Sequence, residues 1–318
     1  MTTEKYFAIR QAIAEIIQGT QWQNHVYLVG GCVRDEIMHY DIHDIDLAID
    51  KPNGGVLFAK WLARKRLLAR GRSLQIFIHY GTAKVKLRRY PEEEIDCVQT
   101  RKGRYEYDRH PKPEKYFGTI LEDAACRDLT INSLYLNVST GEILDPTGRG
   151  LKDLEDHIIR TPNDPDISLL DNPMHILRCI RFAVRYGWAL DDTLIHSMKR
   201  NVDILADALP RPRRIIKEMT AIQALPDKDR AMQLIETAGA IKYIEPVLQL
   251  MKTISIDNKT NTKTEALGSK PSKQGTPSSE LCTGDGRSHP HVKRFRRHSA
   301  CRKSRNKQSA ADQGSNVN

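Results

Sequence analysis

The stretch from Val26 to Ile49 constrains this chain most, because two different backbone instructions follow one another within a few residues. Val26-Tyr27-Leu28-Val29 is a short apolar run that reads as a buried strand. Gly30-Gly31 comes next; lacking a Cβ, the pair lets the backbone turn sharply and lets a ligand come close. Cys32 to Met38 continues as a helix with Arg34 and Asp35 in its first turn. Beyond it, Asp44-Ile45-Asp46-Leu47-Ala48-Ile49 alternates with period two. Successive strand side chains point to opposite faces, so Asp44 and Asp46 share one face while Ile45, Leu47 and Ile49 face the core.

Two carboxylates on one strand face repel each other unless a cation sits between them. Mg²⁺ suits that place, since it takes hard oxygen ligands and often uses one or two carboxylates together with substrate phosphates. The glycine pair opens a helix N-terminus, where free N–H groups and the helix dipole favour an anion. Arg34 adds a planar fork that fits phosphate. Taken singly, Gly30-Gly31 is an ordinary turn and Asp44-Ile45-Asp46 a solvated strand edge. Joined in this order, they read as a metal seat beside a triphosphate cradle.

Leu28-Val29-Gly30-Gly31-Cys32-Val33-Arg34-Asp35, followed by Asp44-Ile45-Asp46-Leu47-Ala48, resembles the head motif of the tRNA nucleotidyltransferase and bacterial poly(A) polymerase family. Further matches are Ile95-Asp96-Cys97, Arg127-Asp128-Leu129-Thr130-Ile131-Asn132, Asp145-Pro146 with Gly148, and Ile176 to Phe182, in the family's order over about residues 25 to 225. The resemblance implies an α+β fold: a nucleotidyltransferase-type head with a small mixed β-sheet over residues 1–148, then an all-helical neck over 149–251. It implies template-independent addition of nucleotides, CCA or poly(A), to the 3′ end of an RNA such as tRNA, with ATP and/or CTP as donors. Asp44 and Asp46 would hold two Mg²⁺, one activating the terminal 3′-hydroxyl and one steadying the pyrophosphate, with Asp96 as third catalytic carboxylate. Gly30, Gly31, Arg34, Arg127, Arg178 and Arg181 would hold the nucleotide in line, which is most of the catalysis in phosphoryl chemistry.

The chain departs from the family pattern at three places. After Arg101 the family often has Glu, where this chain has Lys102-Gly103, inside a charged, proline-bearing segment from Thr100 to Gly118 that reads as a mobile loop near the site. Of the two arginines before Asp128 one remains, because Cys126 stands at the other position; Arg127 is a triphosphate contact or a structural ion pair with Asp123 or Asp128. Asn132 stabilises the loop beneath the site. The third departure lies on the Asn172–Arg185 helix, whose apolar side (Ile176, Leu177, Ile180, Ala183, Val184) opposes a polar side of His175, Arg178, Arg181 and Arg185. A solvated basic face is the plain alternative for that side. In the family an Asp and an Arg on this helix present a base-pairing edge to the nucleotide; the matching positions here are Asn172 and His175, so base selectivity is expected to fall while Arg178 and Arg181 keep their grip on the phosphates.

Elsewhere, helical spacing marks residues 3–18, 56–70, 151–157, 191–206, 211–225 and 227–238, and alternation marks strands at 74–78, 83–87, 94–98, 133–137 and 142–144. No apolar run is long enough to span a membrane. The N-terminus is amphipathic and lacks the centre of a signal peptide, and the six cysteines show no Cys-x-x-Cys pair, which points to a reducing cytoplasm. The net charge of +10 is concentrated: residues 252–318 hold 14 Lys and Arg against 5 Asp and Glu. That segment reads as a low-complexity, disordered basic tail on a neck shorter than the family's. Two other functions stay open: an RNA-binding protein descended from such an enzyme, and a nucleotidyltransferase with a non-RNA acceptor. Phosphate contacts make binding salt-dependent, so deleting residues 252–318 should flatten the salt dependence of RNA affinity more than it lowers the transfer rate. Titration of a labelled RNA at several salt concentrations measures this; an unchanged slope would mean the tail takes no part.

Overall fold

A seven-stranded sheet organises the first half of the chain. The computed structural model describes residues 1–103, 113–210, 212–251 and 253; much of the expected loop and nearly all of the expected tail lie outside the described residues. Helix α1 (Thr3–Ile17) opens the chain, its N-terminus capped by Thr2, and buries Tyr6, Ile9, Ala12, Ile13 and Ile17 at helical spacing. Strand β1 (Val26–Val29) leads through Gly30 into α2 (Gly31–Ile37), and β2 (Ile45–Ile49) follows. Next come α3 (Gly54–Arg64), β3 (Leu74–Phe77), β4 (Thr82–Leu87), β5 (Tyr90–Gln99), α4 (Ile120–Ala125), β6 (Tyr135–Asn137), β7 (Ile143–Leu144) and α5 (Gly150–Glu155).

The strand order is β3-β4-β5-β2-β1-β6-β7. All neighbours are antiparallel except β2 and β5, which run parallel with Asp46 opposite Asp96. The sheet is therefore mixed, as expected. One face carries Leu28, Ile45, Leu47, Ile49 and Ile95 into the core that α1 and α3 cover. The other buries a smaller cluster of Tyr27, Val29, Ala48, Ala124 and Tyr135. Asp46 and Asp96 alternate with the first set and so belong to this second face.

The neck consists of β8 (Ile158–Ile159), α6 (Pro165–Asp171), α7 (Met174–Tyr186), β9 (Ala189–Leu190), α8 (Asp192–Asn201), α9 (Arg213–Gln223) and α10 (Lys228–Thr237). It is helical except for the parallel β8–β9 ribbon, which two-residue strands do not reveal by alternation. Its apolar residues join those of the head in one continuous core. The helix expected from Asn172 begins at Met174, because Pro173 disfavours helical geometry in the residue before it and leaves Asn172 extended at φ −148° and ψ 101°. At Gly187 α7 ends in the left-handed region. The helix expected over 56–70 stops at Arg64; Arg66 has φ 57°, and Leu68 bridges to Leu87 instead. Among the described residues no helix is long and apolar enough to cross a membrane.

Helix α3 lies close on the sheet at one point. A Cβ at Gly55 would stand 2.4 Å from the Cys97 carbonyl oxygen and 2.6 Å from that of Gly81, and backbone cannot yield as a side chain can. Gly55→Ala should therefore destabilise the fold by about 1–3 kcal/mol. Thermal unfolding checks this, with Lys60→Ala on the exposed side of α3 as a control that leaves Tm nearly unchanged.

Candidate active site

Asp46 and Asp96 face one another across the parallel pair, and Asp44 stands one residue ahead of β2. On the neighbouring strand Lys84 is paired with Asp96, and its Nζ lies 3.2 Å from Asp96 Oδ1 and 2.6 Å from Glu94 Oε1. Burial raises the Asp46 carboxyl to about 6; the Asp96 and Asp44 carboxylates push the same way, against Arg127 and Lys84. The cluster therefore carries negative charge that its own cations do not balance. Its donors are hard oxygens, which suit Mg²⁺ rather than a soft metal.

Gly30 has φ 79°, a conformation that favours glycine, and it leaves a gap. A Cβ there would sit 3.7 Å from Arg127 Nη1 and 3.8 Å from Asp46 Oδ2. Gly31 is the first residue of α2. Arg127 is held from behind: its Nε donates to the Tyr135 hydroxyl at 2.9 Å and to Asp123 Oδ2 at 3.3 Å, and its Nη2 donates to Asp123 Oδ2 at 3.0 Å. Asp123 also accepts from the Tyr135 hydroxyl and from the Arg101 backbone N–H. Its helix, α4, is fixed by a Thr119–Glu122 capping box. Arg127 thus makes the ion pair with Asp123, and this tether aims Nη1 at Gly30 and Asp46.

Two of the expected phosphate-binding arginines are placed otherwise. Arg34 is 3% exposed. Its Nε and Nη2 donate to Asp35 at 2.8 and 2.9 Å, its Nη1 to Asn132 Oδ1, and its guanidinium lies 5.2 Å from the Phe182 ring centre. Every nitrogen of the fork is engaged, so Arg34 is a strut. Arg181 donates from Nε to Glu218 at 2.8 Å, lies against Phe182, and is not among the residues lining the cleft described below. Arg178 lines the cleft, yet its Nε donates to Asp128 Oδ2 at 2.8 Å, its Nη2 bonds the same oxygen, and its Nη1 is 3.6 Å from Glu218. Asn132 completes the chain by donating to Asp128 Oδ1 at 3.1 Å. Burial alone would raise the Asp128 carboxyl; Arg178, with His175 and Asn132, holds it down at about 2.

A cleft of about 720 Å³ opens between the head, at Val98, Gln99 and Arg127, and the neck, at Asn172, His175 and Arg178. Asn172 caps the end of α6, and its Oδ1 accepts from Arg214 Nη2 at 2.8 Å. His175 is buried, with Nδ1 3.1 Å from both the carbonyl and the hydroxyl oxygen of Ser168. Burial lowers its pKa, so the ring is neutral near pH 7. The structure therefore brings Asp44, Asp46, Asp96, Gly30, Gly31 and Arg127 together on the head, and sets Asn172, His175 and Arg178 on the neck wall of the cleft. Sequence reasoning missed Tyr135 and Lys84, whose partners sit on neighbouring elements, and Arg214 and Glu218, whose partners lie about forty residues away in the chain. The spacing of four between Asp123, on α4, and Arg127, just beyond its end, was the readable signal for the tether.

Residues 26–160 match the family model of the poly A polymerase head domain. The mitochondrial CCA tRNA nucleotidyltransferase of Saccharomyces cerevisiae is 33% identical over 225 residues, 66% of this chain and 40% of that protein. The tRNA nucleotidyltransferase cca1 of Schizosaccharomyces pombe is 33% identical over 71% of this chain and 46% of its own length. The chain thus spans less than half of these relatives. Among solved structures, the Thermotoga maritima CCA-adding enzyme complexed with tRNA aligns with a TM-score of 0.62 at 25% identity, over 76% of this chain and 53% of that one.

The raised Asp46 carboxyl has a consequence for stability. A group that binds its proton more tightly when folded lends stability below its unfolded pKa, and this is lost as pH rises through the folded value near 6. Above pH 6 the ionised side chain costs on the order of 3 kcal/mol. Asp46→Asn should therefore raise Tm by roughly 5 °C at pH 7.5 without Mg²⁺ and leave it nearly unchanged at pH 4. Calorimetry at both pH values checks this, and added Mg²⁺ should narrow the difference by stabilising the unmodified protein.

Proposed function

Because residues 26–160 belong to the poly A polymerase head-domain family, we propose that this chain is a template-independent nucleotidyltransferase that extends the 3′ end of an RNA. The observation that carries the reading is the in-register pairing of Asp46 with Asp96, next to Asp44 and across a gap at Gly30 from Arg127. An undercompensated carboxylate cluster beside a tethered arginine suits a nucleoside triphosphate with its cations. The relatives named above act on tRNA by name, which makes a tRNA 3′ end the acceptor of choice. Residues 1–148 would supply the chemistry and residues 149–251 the wall that orients nucleotide and RNA. Among the described residues Cys32, Cys97, Cys126 and Cys179 are free, which suits a reducing compartment.

In the transfer, the terminal 3′-oxygen attacks the α-phosphorus, the bond to the β-phosphate bridging oxygen breaks, and pyrophosphate leaves. Mg²⁺ at Asp44 and Asp46 would supply charge neutralisation and a lower hydroxyl pKa. Asp96, restrained by Lys84, closes the cluster on the β5 side. Arg127 offers Nη1 to the triphosphate while Asp123 and Tyr135 fix its other nitrogens. Gly30 leaves the space in which phosphate oxygens can lie between Arg127 and Asp46. Arg178, locked on Asp128, sets the distance of the neck wall from this centre. Gly31 and the short α2 stay part of the cradle, whereas Arg34 and Arg181 act behind it.

The test is Mg²⁺-dependent incorporation of label from a mixture of all four nucleoside triphosphates into tRNA. Asp44→Ala and Asp46→Ala should each lower the rate by about a thousandfold or more while RNA affinity stays within about threefold, since the lost groups neutralise transition-state charge. Near-normal turnover by either variant would show that the centre is elsewhere. RNA binding without incorporation by the unmodified chain would favour an RNA-binding protein descended from such an enzyme, and label transfer without RNA would favour another acceptor.

A further inference from the structure

Two side chains on the neck wall of the cleft have a fixed hydrogen-bonding sense. The Arg214 guanidinium and the Met174 backbone N–H can only donate, and both meet the same atom of Asn172, at 2.8 and 3.3 Å. That atom is therefore the amide oxygen, and the amide NH₂ is the group left for a ligand. In His175, Nδ1 lies 3.1 Å from the Ser168 carbonyl oxygen, which can only accept, and 3.1 Å from the Ser168 hydroxyl, which can accept as well as donate, so the carbonyl decides the sense. Nδ1 thus carries the ring hydrogen, and on this neutral, buried imidazole Nε2 keeps a lone pair. Neither Asn172 Nδ2 nor His175 Nε2 has a hydrogen-bond partner among the described residues, and both residues line the cleft.

The wall therefore shows a donor at Asn172 and an acceptor at His175, one turn apart at the start of α7. The exocyclic group of a nucleobase protrudes beyond the ring nitrogen beside it. The shorter Asn172 side chain suits the protruding group, and the longer imidazole suits the recessed ring atom. We propose that Asn172 and His175 select nucleotides whose base edge carries a keto oxygen beside a ring N–H, as in uracil and guanine, over the amino-bearing adenine and cytosine. This rests on the nucleotidyltransferase reading of the cleft. An amino base in the same pose would set NH₂ against NH₂ and lone pair against lone pair, leaving two groups unpaired on each side. A freely flipping amide would blur the choice, as the amino-acid sequence alone suggests; Arg214 removes that freedom, so the sense is reversed from that of an acidic–basic pair and not merely weakened.

Equilibrium binding of ATP, CTP, UTP, GTP and ITP to the full chain with Mg²⁺ tests the proposal without requiring turnover. ITP differs from ATP chiefly at the edge in question. UTP, GTP and ITP should bind about tenfold or more tightly than ATP and CTP, the size of discrimination that a good paired contact gives. Asn172→Asp combined with His175→Arg should turn the preference towards ATP and CTP. Arg214→Met should reduce the preference while triphosphate affinity persists. Equal binding of all five, or tighter binding of ATP and CTP, would overturn the selection proposed here and leave the transferase reading intact. Failure to bind any triphosphate would overturn both.

Discussion

Asp128 is ionised in a buried position chiefly because Arg178, on a helix of the neck, reaches it, with His175 and Asn132 adding to the effect. That pair is the middle of a chain of groups running from the head into the neck. Asp35 holds Arg34, Arg34 holds Asn132, Asn132 and Arg178 share Asp128, and Glu218 receives both Arg178 and Arg181. Charges alternate along it, so each desolvated group has a partner of the other sign. Such chains add little net stability, because desolvation consumes most of the attraction. Removing one member is another matter, since the uncompensated charge left behind costs about 3–5 kcal/mol. The chain thus specifies one separation between the sheet and α7, and with it the width of the cleft.

The other side of the cleft works against stability. The fold could relieve Asp46 by protonation or by a nearer cation, and does neither at neutral pH. Its strand is held from behind by Ile45, Leu47 and Ile49, which are almost completely buried. Apolar packing on one face of β2 thereby supports a carboxylate arrangement on the other that is unfavourable without a bound cation. Arg127 shows the same division: Tyr135 and Asp123 satisfy the nitrogens facing the protein, and the remaining end is turned to the site.

Much of this was legible in the sequence wherever the signal is local. Period-two alternation located β2 and set Asp46 opposite the core face, and the glycine pair marked the turn beside it. The expected third carboxylate, Asp96, meets Asp46 across the strands. What could not be read is which partner each arginine finds. Arg34 looks like a phosphate ligand until Asp35, Asn132 and Phe182 close around it, and Arg181 until Glu218 arrives from α9. The same holds for Asn172. A proline beside it removes it from the helix, but only the distant Arg214 decides which end of its amide is outward.

The parallel pairing of β2 with β5 also governs the order of folding. Between Asp46 and Asp96 the chain must lay down α3 and the β3–β4 hairpin before it returns to the centre of the sheet. Hairpins close quickly, whereas a non-local parallel pairing bears a larger loop-closure entropy and comes late. The two carboxylates therefore remain apart through the early steps and meet when the central strands join. A divalent cation held by these carboxylates would have no seat in the partly assembled chain, so it would retain the fold once formed and not nucleate it. A cation effect would then appear in the unfolding rate and leave the refolding rate largely untouched.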